Sequence, residues 1–183
     1  MKSVFGRLVQ GLGVASLAVG LASCGMMGKK AEEMACPEIR IDRDTAKLTS
    51  FTPGAGQDIT DIQFEGQILA FNGDCGWDPK TRSIDVKMKV LFEITRGPAL
   101  KGLSGEFQYF VAVPEFYPSP AGKQVLSVPF KFNDGNLTTV NVRDEEVRIR
   151  IPLGTDKKSS DTPVYIGFQL DNKQLEFNRK LNR

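Results

Sequence analysis

Three cysteines hold most of the covalent chemistry open to this 183-residue chain. Cys24 stands directly after Leu21-Ala22-Ser23, which closes an uncharged apolar run from Leu8 to Leu21, and Lys2 and Arg7 precede that run. A basic start, an apolar middle and small residues before a cut are the three parts of an export signal. Small residues let the chain lie extended in a peptidase groove, and a thiol just past the cut can accept a diacylglycerol. The pattern predicts cleavage after Ser23 and lipidation of Cys24. An ordinary secretory signal with a chance cysteine is the plainer alternative. The apolar run falls short of the roughly 20 residues a transmembrane helix requires.

Leu21-Ala22-Ser23-Cys24 resembles the bacterial lipobox, and that resemblance implies two or three acyl chains on the cysteine. One chain binds a membrane only marginally, whereas two or more make a stable anchor. The next residue is Gly25. By resemblance to the familiar bacterial sorting scheme, in which aspartate there retains a lipoprotein in the inner membrane, glycine implies the periplasmic face of the outer membrane. The periplasmic face of the inner membrane is the alternative.

Lipidation of Cys24 leaves Cys36 and Cys75 as an isolated pair. Export delivers them to an oxidising compartment where bridges persist, and two cysteines allow one connectivity. A Cys36–Cys75 disulfide would close about 40 residues and stabilise by about 4 kcal/mol in the chain-entropy model. Two buried thiols or a metal pair are the alternatives. The metal reading is poor, because the chain has no histidine and no close Cys-x-x-Cys spacing.

The absence of histidine removes Ser-His-Asp and Cys-His nucleophile systems. Gly102-Leu103-Ser104-Gly105 follows a Gly-Pro turn and offers no base for its serine. No phosphate-cradling, dinucleotide or Gly-x-Ser-x-Gly pattern is present. Asp58 and Asp61 flank a strand start, and Asp144-Glu145-Glu146 lie between Arg143 and Arg148. Calcium favours such oxygens, but the flanking arginines make a self-paired, solvated loop the better reading. Paired carboxylates for glycoside hydrolysis lack an aromatic-rich cleft to serve. The expectation is therefore a protein that is not an enzyme and holds no cofactor or metal.

Two stretches remain as candidate binding surfaces. Pro114–Gly122 carries Phe116 and Tyr117 between prolines. Prolines reduce the entropy lost on binding, and aromatics at a loop tip make good contact anchors. The plainer reading is that both rings fold back over the end of the domain. The row Arg143, Arg148, Arg150 could face peptidoglycan carboxylates or lipid phosphates, although such a row is more often a solvated sheet face. Charge gives no sign of a nucleic-acid partner. Removing Lys2 and Arg7 with the signal leaves 22 basic and 22 acidic residues, so the +2 of the whole chain disappears.

The elements that must carry these residues read as β. Ser83–Arg96 alternates with only Leu91 breaking the pattern, and puts Ile84, Val86, Met88, Val90, Phe92 and Ile94 on one face. Asp61–Phe71 repeats this with Ile62, Phe64, Ile68 and Ala70 inward, and Gly66 suggests a bulge. Phe107–Val113 and Val125–Phe132 follow, the second bearing Pro129, which implies an edge strand or a bulge. Asn133–Asn136 marks a turn before Leu137–Val142. Val140 and Val142 are even-numbered, whereas Val147, Ile149 and Ile151 are odd, so a bulge or break falls at Arg143–Glu146. Val164–Leu170 is the last strand and Glu38–Ile41 the first. Asn172–Leu181 predicts the one helix, docked by Leu175 and Phe177 or Leu181.

The chain thus divides into a cleaved signal, 1–23, a lipidated cysteine with a flexible tether, 24–35, and one domain, 36–183. About seven short strands with one apolar face each predict an all-β antiparallel sandwich of immunoglobulin-like or fibronectin-like type with a short C-terminal helix. A small β-barrel is the alternative. Ala35-Cys36-Pro37, Phe51-Thr52-Pro53-Gly54, Asp58–Asp61, Phe107–Val113, Arg150–Leu153, Gly167–Leu170 and Gln174–Arg179 together resemble a family of small, uncharacterised proteobacterial cell-envelope lipoproteins. The resemblance implies an envelope location and a shared fold, and transfers no site residues. The functional expectation is a protein-binding or envelope-assembly module anchored to the membrane through Cys24 and meeting an envelope protein partner. A ligand-binding or peptidoglycan-interacting domain is the alternative.

Overall fold

The computed structural model describes residues 34–54, 56–155 and 157–182; the predicted signal, Cys24 and the tether up to residue 33 lie outside them. Alternation of apolar and polar residues resolves into eight strands, β1 (Ile39–Ile41), β2 (Lys47–Phe51), β3 (Ile62–Asp78), β4 (Ser83–Arg96), β5 (Ser104–Ala112), β6 (Lys123–Lys131), β7 (Thr139–Pro152) and β8 (Val164–Phe168), followed by one helix, α1 (Asn172–Leu181). They form two four-stranded sheets, ordered β1-β8-β5-β6 and β2-β3-β4-β7. Every pairing is antiparallel except β1 with β8, which is parallel. The sheets bury their apolar faces against each other as a sandwich, and neither closes into a barrel.

The strongest sequence signal becomes the centre of the second sheet. Ile84, Val86, Met88, Val90, Phe92 and Ile94 of β4 are all buried. Phe92 meets Phe107 and Tyr109 of the opposite sheet edge-on, with ring centroids 4.8 and 5.0 Å apart, an arrangement that adds to plain area burial. The edge strand β6 carries Pro129, as its missing amide donor requires.

Several expectations are corrected. Gly66 is not a bulge. It pairs with Leu48 and Ile94 in regular register, and it is glycine because a Cβ would come within 2.9 Å of the Phe168 ring. The bulge sits three residues on, at Leu69, where the register steps from Ile68 opposite Phe92 to Ala70 opposite Leu91. That step turns Ala70 outward, exposed, and brings Cys75 and Trp77 round to pack on the core. It also lets β3 run to Asp78 instead of ending at Phe71.

The phase change at Arg143–Glu146 occurs without a break. β7 is continuous, and Glu145 and Glu146 together oppose the single residue Lys89, between the pairs Met88–Val147 and Val90–Asp144. Asn133–Asn136 turns as expected but carries the chain from one sheet to the other rather than around a hairpin. The strand missing from the expected seven is β2. Its pattern, Lys47-Leu48-Thr49-Ser50-Phe51, is short and polar.

Helix α1 explains why so weak a strand persists. Asp171 and Gln174 cap it reciprocally. Asn178 Nδ2 then donates to Lys47 O at 2.7 Å and Asp44 O at 2.9 Å, and Gln174 Nε2 donates to Thr49 O at 3.3 Å. Side-chain amides thus satisfy the Lys47 and Thr49 carbonyls that the open edge of β2 would leave unpaired, and fasten the turn before it through Asp44 O. Phe177 docks on Phe51 with centroids 5.6 Å apart, whereas Leu181 is 70% exposed and docks nothing.

Candidate functional site

The registers fix which loops share an end of the sandwich. β3 and β7 arrive at one end where β4 begins, since Asp78 pairs with Ser83 and Ser83 with Pro152. β5 arrives there and β6 and β8 depart, since Ala112 pairs with both Lys123 and Tyr165. Hydrogen bonds tie the loops together. Leu153 N donates to Arg82 O at 2.8 Å, and Val164 N to Glu38 O at 2.9 Å. The Ser159 hydroxyl, on a buried residue, donates to Ala35 O. Lys157 pairs with Glu115. Segments 34–38, 79–82, 113–122 and 153–163 therefore form one cluster.

Loop 113–122 is held at its base by Val113 N donating to Gly122 O at 2.9 Å, and it consists of two short 3-10 turns, Pro114–Phe116 and Pro120–Gly122. Gly122 is buried beneath the loop, where a Cβ would lie 2.5 Å from the Phe116 carbonyl carbon and the Tyr117 nitrogen. The two aromatics separate. Phe116 is half-buried and packs on the core, whereas Tyr117 is 71% exposed. One ring roots the loop and the other is presented to solvent.

Arg143, Arg148 and Arg150 all project from the outer face of β7. Two of them are paired within the sheet. Arg150 donates to both carboxylate oxygens of Asp85, at 2.7 and 3.0 Å, and the hydrogen bonds hold the Asp85 carboxyl below its ordinary range. Arg148 lies 2.6 Å from Glu146. Lys89 pairs with Glu145 at 3.2 Å. Arg143 has no ion-pair partner among the described residues. The expected basic row is therefore mostly a neutralised, solvated sheet face. Arg148 and Arg150 do line a groove of about 220 Å³ with Pro120, Ala121 and Lys123, which joins part of the row to the loop. Arg143, beyond the bulge, does not reach it.

Cys36 and Cys75 are bridged, with Cα atoms 5.7 Å apart and a sequence separation of 39. The bridge links the segment leading into β1, in one sheet, to β3 in the other. Cys24 lies outside the described residues. Among those residues no three His, Cys, Asp or Glu side chains gather as a metal would need, and no helix is long and apolar enough to cross a membrane.

Sequence reasoning missed what positions the loop. Lys157, Ser159 and Arg82 carry no motif, and their partners lie 42 to 124 residues away for the first two. No family model matches the chain, and neither does any curated protein or solved structure.

Proposed function

We propose that this protein is a non-enzymatic lipoprotein of the bacterial envelope, held by lipid on Cys24 to the periplasmic face of the outer membrane, whose sandwich binds an envelope protein as an assembly or docking module. The observation that carries the reading is Tyr117, presented to solvent on a loop whose neighbour Phe116 is rooted in the core. A loop ordered before binding loses little entropy on contact, and tyrosine is favoured at the energetic centre of interfaces. Export is supported by the signal pattern and by the Cys36–Cys75 bridge, a bond that persists in oxidising compartments. The resemblance to small envelope lipoproteins points the same way.

The groove beside Lys123, Arg148 and Arg150 favours a second reading, binding of an anionic peptidoglycan fragment. Pairing of both arginines within the sheet weakens it. Growth with a clickable fatty acid tests the anchor: the wild type takes the label and Cys24→Ala does not. Crosslinking from position 117 in intact cells tests the module: one protein species is captured. A labelled but never crosslinked protein defeats the binding reading.

A further inference from the structure

The tether and the Tyr117 loop leave the sandwich at the same end. The described chain begins at Met34, and Ala35 O accepts from Ser159, two residues from Lys157, which pairs with Glu115 of the loop. From Cys24 to Cys36 the extended chain reaches about 40 Å at most. The other end of the sandwich, with Ile59, lies a further strand length away, and β4 alone spans about 45 Å at its 14 residues. A lipid on Cys24 would therefore hold the Tyr117 end within a layer about 40 Å deep above the bilayer, while Ile59 could stand a strand length farther out.

Charge distinguishes what Tyr117 meets in that layer. An anionic bilayer attracts unpaired Lys and Arg. At this end the charges are mixed: Glu38, Asp78, Glu115 and Asp161 stand among Lys80, Arg82, Lys123, Lys157 and Lys158. Lys157 pairs with Glu115, Arg82 donates to Gly154 O and sits 6.0 Å from the Trp77 ring centre, and Lys123 stands 4.6 Å over the Phe110 ring. An exposed tyrosine among interspersed charges of both signs suits a protein surface better than anionic lipid headgroups.

We infer that the partner bound through Tyr117 is a membrane-embedded protein, engaged where its periplasmic surface emerges from the bilayer in which the lipid of Cys24 is anchored. This inference rests on the lipid anchor proposed above. Tethering then acts as a local concentration, so recognition through one small loop suffices.

The test places benzoylphenylalanine at position 117 or at position 59 in the full chain, in intact cells, with the wild-type tether or one tripled in length by Gly/Ser residues inserted after Gly28. Band mobility without reductant reports the Cys36–Cys75 bridge and hence folding. The expected result is one captured protein that stays in the membrane through alkaline carbonate washing. It is captured from position 117 and not from 59, and capture falls about five-fold with the long tether, as local concentration declines with the three-halves power of length. Capture of a soluble periplasmic protein, capture of lipid alone, equal capture from both positions, or indifference to tether length overturns the inference. Absence of fatty-acid label on Cys24 is a separate result, which overturns the anchor itself.

Discussion

The Tyr109 hydroxyl donates to Asp144 Oδ2 at 2.7 Å, and the bond crosses from one sheet of the sandwich to the other. It exists because of the bulge in β7. Two residues spent opposite Lys89 allow Asp144 to share the inward face with both Val142 and Val147. A carboxylate thus enters the margin of an otherwise apolar core and is met by a hydroxyl whose residue is 0% exposed.

Tyr109→Phe leaves that carboxylate without its donor and is expected to cost about 1–3 kcal/mol, the range for a part-buried polar group losing its partner. Urea unfolding measures it. The Tyr109→Phe, Asp144→Leu double variant is expected to recover part of the loss, because no polar group is then stranded. Burial first, and the Asp144 carboxylate second, push the Tyr109 hydroxyl far above its ordinary value. A raised folded pKa keeps stability intact below the unfolded value, about 10, and loses it as pH rises beyond. Alkaline unfolding should therefore steepen above about pH 10, and Tyr109→Phe should flatten that slope.

The bridge between Cys36 and Cys75 closes a loop long enough that its loss is expected to cost about 4 kcal/mol. Cys36→Ala with Cys75→Ala, compared with the oxidised protein by denaturant titration, measures this. A change below about 1 kcal/mol would mean that the ends of the loop stay together without the bond.

The two aromatics of the candidate loop should part company under mutation. Phe116→Ala removes a ring packed on the core and is expected to cost about 2–4 kcal/mol, scaled below a fully buried phenylalanine. Tyr117→Ala is expected to stay within about 0.5 kcal/mol. Loss of in-cell crosslinking from a neighbouring position in Tyr117→Ala, at unchanged stability, identifies the contact residue. Equal destabilisation by both would place Tyr117 in the fold instead.

Asn178→Leu removes the amide that donates to Lys47 O on the edge of β2 and to Asp44 O in the turn before it. It is expected to cost about 1–3 kcal/mol. Faster hydrogen exchange confined to Lys47–Phe51 and α1 is the signature to look for.

What was legible in the sequence follows from what period can encode. Ser83–Arg96 was readable because the positions from Ile84 to Ile94 that face inward are all apolar, and the helix was readable from the spacing of Leu175 and Phe177, whereas its Asp171–Gln174 cap was not. Cys36 and Cys75 were readable by elimination once Cys24 was set aside. β2 was not, because its stability comes from amides of α1 more than 120 residues away rather than from its own pattern. The bulge at Leu69 was assigned to Gly66, since glycine signals both a bulge and a close approach, and only the position of Phe168 separates the two. The arginine row was legible as a row. The pairing of Arg148 with its acidic neighbours was legible too, whereas the neutralisation of Arg150 was not, because Asp85 lies 65 residues away and becomes its neighbour only through strand pairing.

The bridge to Cys75 also decides how the domain bears load. A pull on the chain ahead of Cys36 would otherwise reach β1, three residues on a sheet edge, which few hydrogen bonds hold. The sulfur–sulfur bond diverts that tension to the lower end of β3, an interior strand flanked by β2 and β4 and aligned with β4 from Phe64 to Asp78. Drawn along its own axis, β3 must shear many hydrogen bonds at once before it yields. The bridge thus strengthens the domain against a pull from its own tether.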